Sequence, residues 1–262
     1  MPNGPLIYRQ RIWTRATHWV WAVALFFLML SGLQIFNAHP TLHIGKEAGF
    51  DYDNAILSLG AVQEGDTLKG VTKLGGWEFD TTGVLGVSDG RVRGFPAWAT
   101  IPSYQSLALG RTVHLFFAWL LVGTLLIWAV ASALNGHFRE LIPTGQDLRD
   151  LPKDVANHAR LRFHHSPRYN VLQKLAYASV LFVALPLMIA TGLTMSPNFN
   201  ATAPWLLDLF GGRQTARTIH FIVMVGLVGF FIVHMLMILA AGPINELRSI
   251  ITGWYRVDKE AK

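Results

Sequence analysis

The sequence predicts an all-α membrane protein, a four-transmembrane-helix bundle with a long periplasmic loop between helices 1 and 2. Three observations predict it. Charged residues are only 15% of the 262 and hydrophobic residues 52%, whereas an ordinary soluble domain carries about 25% charged residues. Four apolar runs each reach the roughly 20 residues needed to cross a ~30 Å hydrocarbon core. Four histidines, His18, His114, His220 and His234, fall inside those runs, where ionisable groups are costly and mark function.

The first span covers about 16–36. Arg9, Arg11 and Arg15 precede it, as basic residues precede a signal peptide. The apolar stretch is too long for a signal segment, however, and no small-x-small cleavage site follows before Asn37, so a retained helix is expected. The 37–111 loop is too long for a simple connection. It is rich in glycine and aspartate and carries Trp77, Phe95, Trp98 and Tyr104. Short strands or turns are expected there, plus a re-entrant or interfacial piece near 95–103, forming a packed cap or a docking surface.

The second span covers about 112–134, the third 172–195 and the fourth 218–241, with a loop at 135–171. The tail over 243–262 has apolar residues at helical spacing in NELRSIITGWY and is expected to lie flat on a leaflet. The whole of 1–262 reads as one integral-membrane domain. Lysine and arginine gather in the N-terminus, the 135–171 loop and the tail, whereas acidic residues such as Asp51, Glu64 and Asp80 gather in the 37–111 loop. By the positive-inside rule both termini are cytoplasmic, in a bacterial inner membrane. The net charge of +6 is spread along the chain, so no nucleic-acid partner is expected. With no cysteine, disulfides, cysteine-held iron–sulfur clusters and covalently attached haem are excluded.

His220 and His234 stand 14 residues apart on one span, which is about 21 Å of helical rise, some 40° short of four full turns. Both imidazoles therefore point roughly one way, one near each membrane face. Depth pairs His114 with His220 at the periplasmic level and His18 with His234 at the cytoplasmic level. Two facing imidazoles at one depth can supply both axial ligands of a haem iron, leaving it to electron transfer. The alternative is four lone polar residues satisfied by helix–helix hydrogen bonds. A single zinc or copper ion could not reach both levels. Gly32, Gly123, Gly192, Gly226 and Gly229 are places where a porphyrin could approach a backbone, or plain helix-packing glycines. Arg15, Arg111 and Arg217 lie near span ends and could pair with haem propionates or snorkel to the interface. His39, His43, His137, His158, His164 and His165 lie in loops and are weaker ligand candidates.

RIWTRATHWVWA ahead of and into span 1, GRTVHLFFAW opening span 2, RYNVLQK entering span 3 and the H-x13-H of span 4 resemble the di-haem cytochrome b subunits of nickel–iron hydrogenases and formate dehydrogenases. The PAWATIPS and PLMIATGLTMSP segments look closer to the thiosulfate reductase cytochrome b subunit, in a bacterial cytochrome b561-like group. The resemblance covers all four spans and is weak over 37–95. It implies the same histidine pairs as ligands of two b-type haems. It also implies an exchangeable quinone (menaquinone or ubiquinone) near Asn170, with Tyr169 and Gln173 beside it. An amide suits a quinone carbonyl, although asparagine is an equally good N-cap for span 3. The implied partner is a periplasmic oxidoreductase subunit, a molybdopterin enzyme or one that is hydrogenase-like.

The function expected is that of a membrane electron-transfer subunit, with quinone reduction or quinol oxidation on its cytoplasmic side. The alternative is a stand-alone cytochrome b561-type enzyme passing electrons from superoxide or another small reductant to quinone. The spans show no internal repeat, which argues against a transporter.

Overall fold

The computed structural model describes residues 3–49 and 52–259. In chain order its main elements are β1 (Leu6–Tyr8), α1 (Ile12–Phe36), β2 (Thr41–His43), β3 (Ala55–Glu64), β4 (Thr67–Leu74), β5 (Trp77–Asp80), β6 (Gly86–Ser88), β7 (Arg91–Arg93), α2 (Leu107–Asn135), α3 (Gly145–Ala159), α4 (Val171–Thr194), α5 (Arg213–Ala241), α6 (Pro243–Thr252) and β8 (Trp254–Arg256). Helices α1, α2, α4 and α5 are long and apolar enough to cross a membrane. Three of them begin about a turn before the expected spans, at Ile12, Leu107 and Arg213, because helical hydrogen bonding starts ahead of the apolar stretch. Along α2, Phe116, Trp119, Leu126, Val130 and Leu134 are all exposed, an outer face suited to lipid.

The chain divides into two compact units, one of Met1–Trp21, Gly123–Pro186 and Val225–Lys262, the other of Ala22–Val122 and Leu187–Met224. In the second unit, residues 37–106 hold short strands, as expected, and these join into sheets. Strands β2-β3-β4-β5 form an antiparallel sheet in that order, and β6–β7 a separate hairpin. Gly75, at φ 55°, makes the tight turn between β4 and β5. One face of the sheet carries the cross-strand row Leu42, Leu57, Leu74, Trp77. Leu42 is 2% exposed, Leu74 53% and Trp77 73%. The row thus begins in a core of Phe36, Leu42 and Leu59, packed round by Leu57, Leu85, Phe95 and Phe221, and ends in the open.

The expected re-entrant piece is a single 3-10 turn at Ala97–Ala99. Its flanks are held by the buried Arg93, which donates to Phe95 O (2.7 Å), Ser103 O (3.1 Å) and Thr100 Oγ1 (3.1 Å). No carboxylate is among these acceptors, and burial holds the guanidinium below its ordinary pKa.

In the first unit, β1 and β8 pair antiparallel and tie the two ends of the described chain together. The tail is helical only to Thr252, where Gly253, at φ 90°, turns it into β8. Ile244, Leu247 and Ile251 are exposed at helical spacing on α6, as an interfacial helix requires. The 135–171 connection contains α3, opened by a capping box in which Thr144 and Asp147 bond each other's backbone N–H. Lys174 of α4 bonds both oxygens of Asp147 at 2.8–2.9 Å, and both side chains are mostly buried. Within α4 the stretch Ser179–Ala184 is π-helical. Pro186 follows, and a proline lacks the N–H for a regular bond to the preceding turn, which wider turns accommodate.

Candidate functional site

His114 and His220 each stand seven residues into a 29-residue helix, α2 and α5. Their ring centroids lie 6.4 Å apart with planes at 58°. Ser31 on α1 supports the first, with its Oγ 3.1 Å from His114 Nδ1. Thr191 on α4 supports the second, with its Oγ1 3.0 Å from His220 Nδ1. Each hydroxyl already donates its proton to the helix behind it, Ser31 to Phe27 O (2.6 Å) and Thr191 to Leu187 O (2.7 Å). A hydroxyl has one proton, so it must accept from the imidazole. Nδ1 therefore carries hydrogen in both rings and Nε2 keeps its lone pair, the tautomer a metal-binding histidine needs.

The residue after each hydroxyl is a glycine. A Cβ on Gly32 would lie 3.3 Å from His114 Cε1, and one on Gly192 would lie 3.5 Å from His220 Cε1. These two glycines make room for an imidazole, a closer role than the porphyrin contact expected of them. Gly123, Gly226 and Gly229 face open space.

His18 and His234, in the first unit, repeat the 6.4 Å ring separation, with planes at 51°. His234 stacks on Phe230 at 5.7 Å, and Trp19 meets His18 edge-on. His18 Nδ1 is buried with no hydrogen-bond partner among the described residues. An ion held between two imidazoles by bonds of about 2 Å, with about 1 Å more from each nitrogen to its ring centre, puts the centroids about 6 Å apart. Both pairs have the separation that a shared axial metal requires.

The spacing also exposes a repeat that reading each span alone misses. Ser31-Gly32-Leu33 and His114 within Arg-Thr-Val-His are matched by Thr191-Gly192-Leu193 and His220 within Arg-Thr-Ile-His. A helix pair therefore occurs twice, each copy with its own supporting hydroxyl, and the expectation of no repeat is corrected. Fourteen residues beyond these histidines the copies diverge, with His234 in α5 and the buried Trp128 in α2. The histidine that faces His234 comes from α1, as His18.

The arginines have definite partners. Arg217 donates to Thr41 O (2.6 Å) and to His39 O, with its guanidinium over the Phe36 ring. Arg15 donates to Ile251 O (2.7 Å) and keeps a buried Nε without a partner among the described residues. Arg111 is exposed on α2. Asn170 and Gln173 form the capping box of α4, Asn170 Oδ1 accepting from Gln173 N (2.8 Å) and Gln173 Oε1 from Asn170 N (3.2 Å). The cap leaves their amide N–H groups as donors, and Asn170 Nδ2 lies 3.5 Å from His158 Nε2. Tyr169 bonds Gln10 (3.0 Å) beneath the Arg9 guanidinium. Burial pushes its phenol up, against the opposing pull of Arg9.

Residues 9–253 match the family described as prokaryotic cytochrome b561. The chain is also similar to the putative protein-methionine-sulfoxide reductase subunit YedZ1 of Azospira oryzae. The two are 28% identical over 228 residues, which is 86% of this chain and 87% of the relative.

Proposed function

The chain belongs to the prokaryotic cytochrome b561 family, a membrane electron-transfer protein that binds b-type haem, and from that premise we propose that it carries two haems and links the quinone pool to a partner reductase. His114 with His220, and His18 with His234, are the axial ligands in this reading. The observation that carries it is the twice-repeated 6.4 Å ring separation, together with hydroxyl partners that leave Nε2 bare in one pair. When bound between the paired imidazoles, each haem would supply a one-electron couple. The protein's part is to hold the imidazoles at that spacing, exclude water and set the local polarity. Arg111, Arg15 and the remaining donors of Arg217 are proposed partners for the propionates.

Quinone is placed at the Asn170 end of α4. The amide donors of Asn170 and Gln173, left over from the cap, are the groups that would orient a quinone carbonyl, with Tyr169 beside them. The partner is proposed to be a periplasmic oxidoreductase of the molybdopterin type. The relative named as a subunit of a protein-methionine-sulfoxide reductase supports a reductase as partner. The sheet built from β2 to β5 also favours docking over a stand-alone enzyme that oxidises a small reductant.

The purified chain is expected to hold two b-type haems, measured as pyridine haemochrome per mole of protein. His220→Ala should lower that number to one. Two haems retained in the variant would overturn the ligand assignment. Reduction of the wild-type haems by a quinol analogue tests the quinone link, and co-purification of a catalytic subunit tests the partner.

A further inference from the structure

His39 and His43, beside the N-terminal turns of α5, form a second histidine pair. The two Nε2 atoms lie 3.3 Å apart, the ring centroids are 5.4 Å apart and the planes are only 17° from parallel. His43 is buried, 8% exposed, while His39 is exposed. Asn54 sets the tautomer of the buried ring. Its Nδ2 donates to Ile44 O (2.8 Å) and Glu47 O (2.9 Å), and its Oδ1 accepts from Gly49 N (3.0 Å). That network fixes the amide's orientation, so the 2.9 Å contact between His43 Nδ1 and Asn54 Oδ1 is an N–H donated by the imidazole. In that tautomer the Nε2 lone pair of His43 faces His39. A carbonyl holding the far nitrogen of an imidazole is the usual outer support of a metal ligand.

The separation fits a shared ion. Two bonds of about 2.0–2.1 Å meeting near the tetrahedral angle place the nitrogens about 3.3 Å apart. The frame is rigid on both sides: Arg217 donates to Thr41 O and His39 O, and Thr218 donates to His43 O (2.7 Å). We propose that His39 and His43 bind a first-row divalent cation of borderline softness, copper(II) or zinc, with water in the remaining positions. Two imidazole nitrogens, with no carboxylate bonded to either among the described residues, favour these ions over calcium or magnesium. The site is separate from the four histidines of the haem reading.

The test uses the haem-loaded full-length chain in detergent, free of any polyhistidine tag and stripped with a chelator. Titration with Zn²⁺ by calorimetry should show one tight equivalent, and Cu²⁺ should show nitrogen hyperfine splitting in its paramagnetic resonance spectrum. His39→Ala should weaken binding at least tenfold with the haem spectrum unchanged. His43→Gln should do the same. If that buried variant loses its haems, the exposed His39→Ala alone decides. No tight equivalent in the wild type, or binding undiminished in His39→Ala, would overturn the proposal.

Discussion

Ser31 and Thr191 govern how His114 and His220 can act. Each takes an imidazole N–H while giving its own proton to a helix carbonyl, so each ring is held in orientation and tautomer. Support of this kind is worth about 10- to 100-fold in metal affinity. Thr191→Val keeps the shape and removes the acceptor. It should weaken retention of one haem by about that factor and shift its midpoint potential, leaving the other haem unchanged. Ser31→Ala should act on the same haem. A redox titration resolving the two potentials checks this, and effects on different haems would contradict the pairing of His114 with His220. The histidines themselves stood out in the sequence because charge is rare in apolar spans. The hydroxyls did not, since serine and threonine are common in such helices and only the fold puts them beside an imidazole.

The sheet and the short helix α3 show what the elements contribute. Leu59 sits in the core with Phe36 and Leu42, 3% exposed, whereas Leu74 on the neighbouring strand is open. Leu59→Ala should cost about 2–5 kcal/mol and Leu74→Ala within about 0.5 kcal/mol, measured by thermal unfolding of the haem-loaded protein. Helix α3 is anchored through Asp147. The Lys174 ammonium, with the N–H and hydroxyl of Thr144, holds that carboxyl down to about 2 from 3.8. A depressed acid stabilises the folded form above its unfolded value, so this anchoring is complete above about pH 4 and fades as pH falls through about 2. Hydrogen exchange of 145–159 should rise over that interval in the wild type, and Asp147→Asn should exchange fast at every pH. The Thr-Gly-Gln-Asp signature of the cap was present in the sequence, but its anchor lies 27 residues further on at Lys174. Short strands were expected in this loop, but not their order, because pairing β2 with β3 depends on contacts that no local pattern states.

At the scale of the whole molecule, the distribution of lysine and arginine predicts cytoplasmic termini. The chain has no cysteine, so single reporters are clean. Asp66→Cys, at the exposed tip between β3 and β4, should react with a membrane-impermeant maleimide in intact spheroplasts. Lys153→Cys, exposed on α3, should react only after lysis. The reverse pattern would invert the topology. The sequence by itself determined the four spans, the histidines within them, the 14-residue step from His220 to His234 and the pairing by depth, because hydropathy and helical rise are local quantities that need no partner. Only the tertiary structure decided that the rings paired by depth come within 6.4 Å of each other, which hydroxyls fix the tautomers of one pair, and that Arg217 ties down the His39–Thr41 backbone. It also brought His39 and His43 together. Those facts depend on side-chain directions across separate elements, and the order of residues alone does not specify where two chain segments meet.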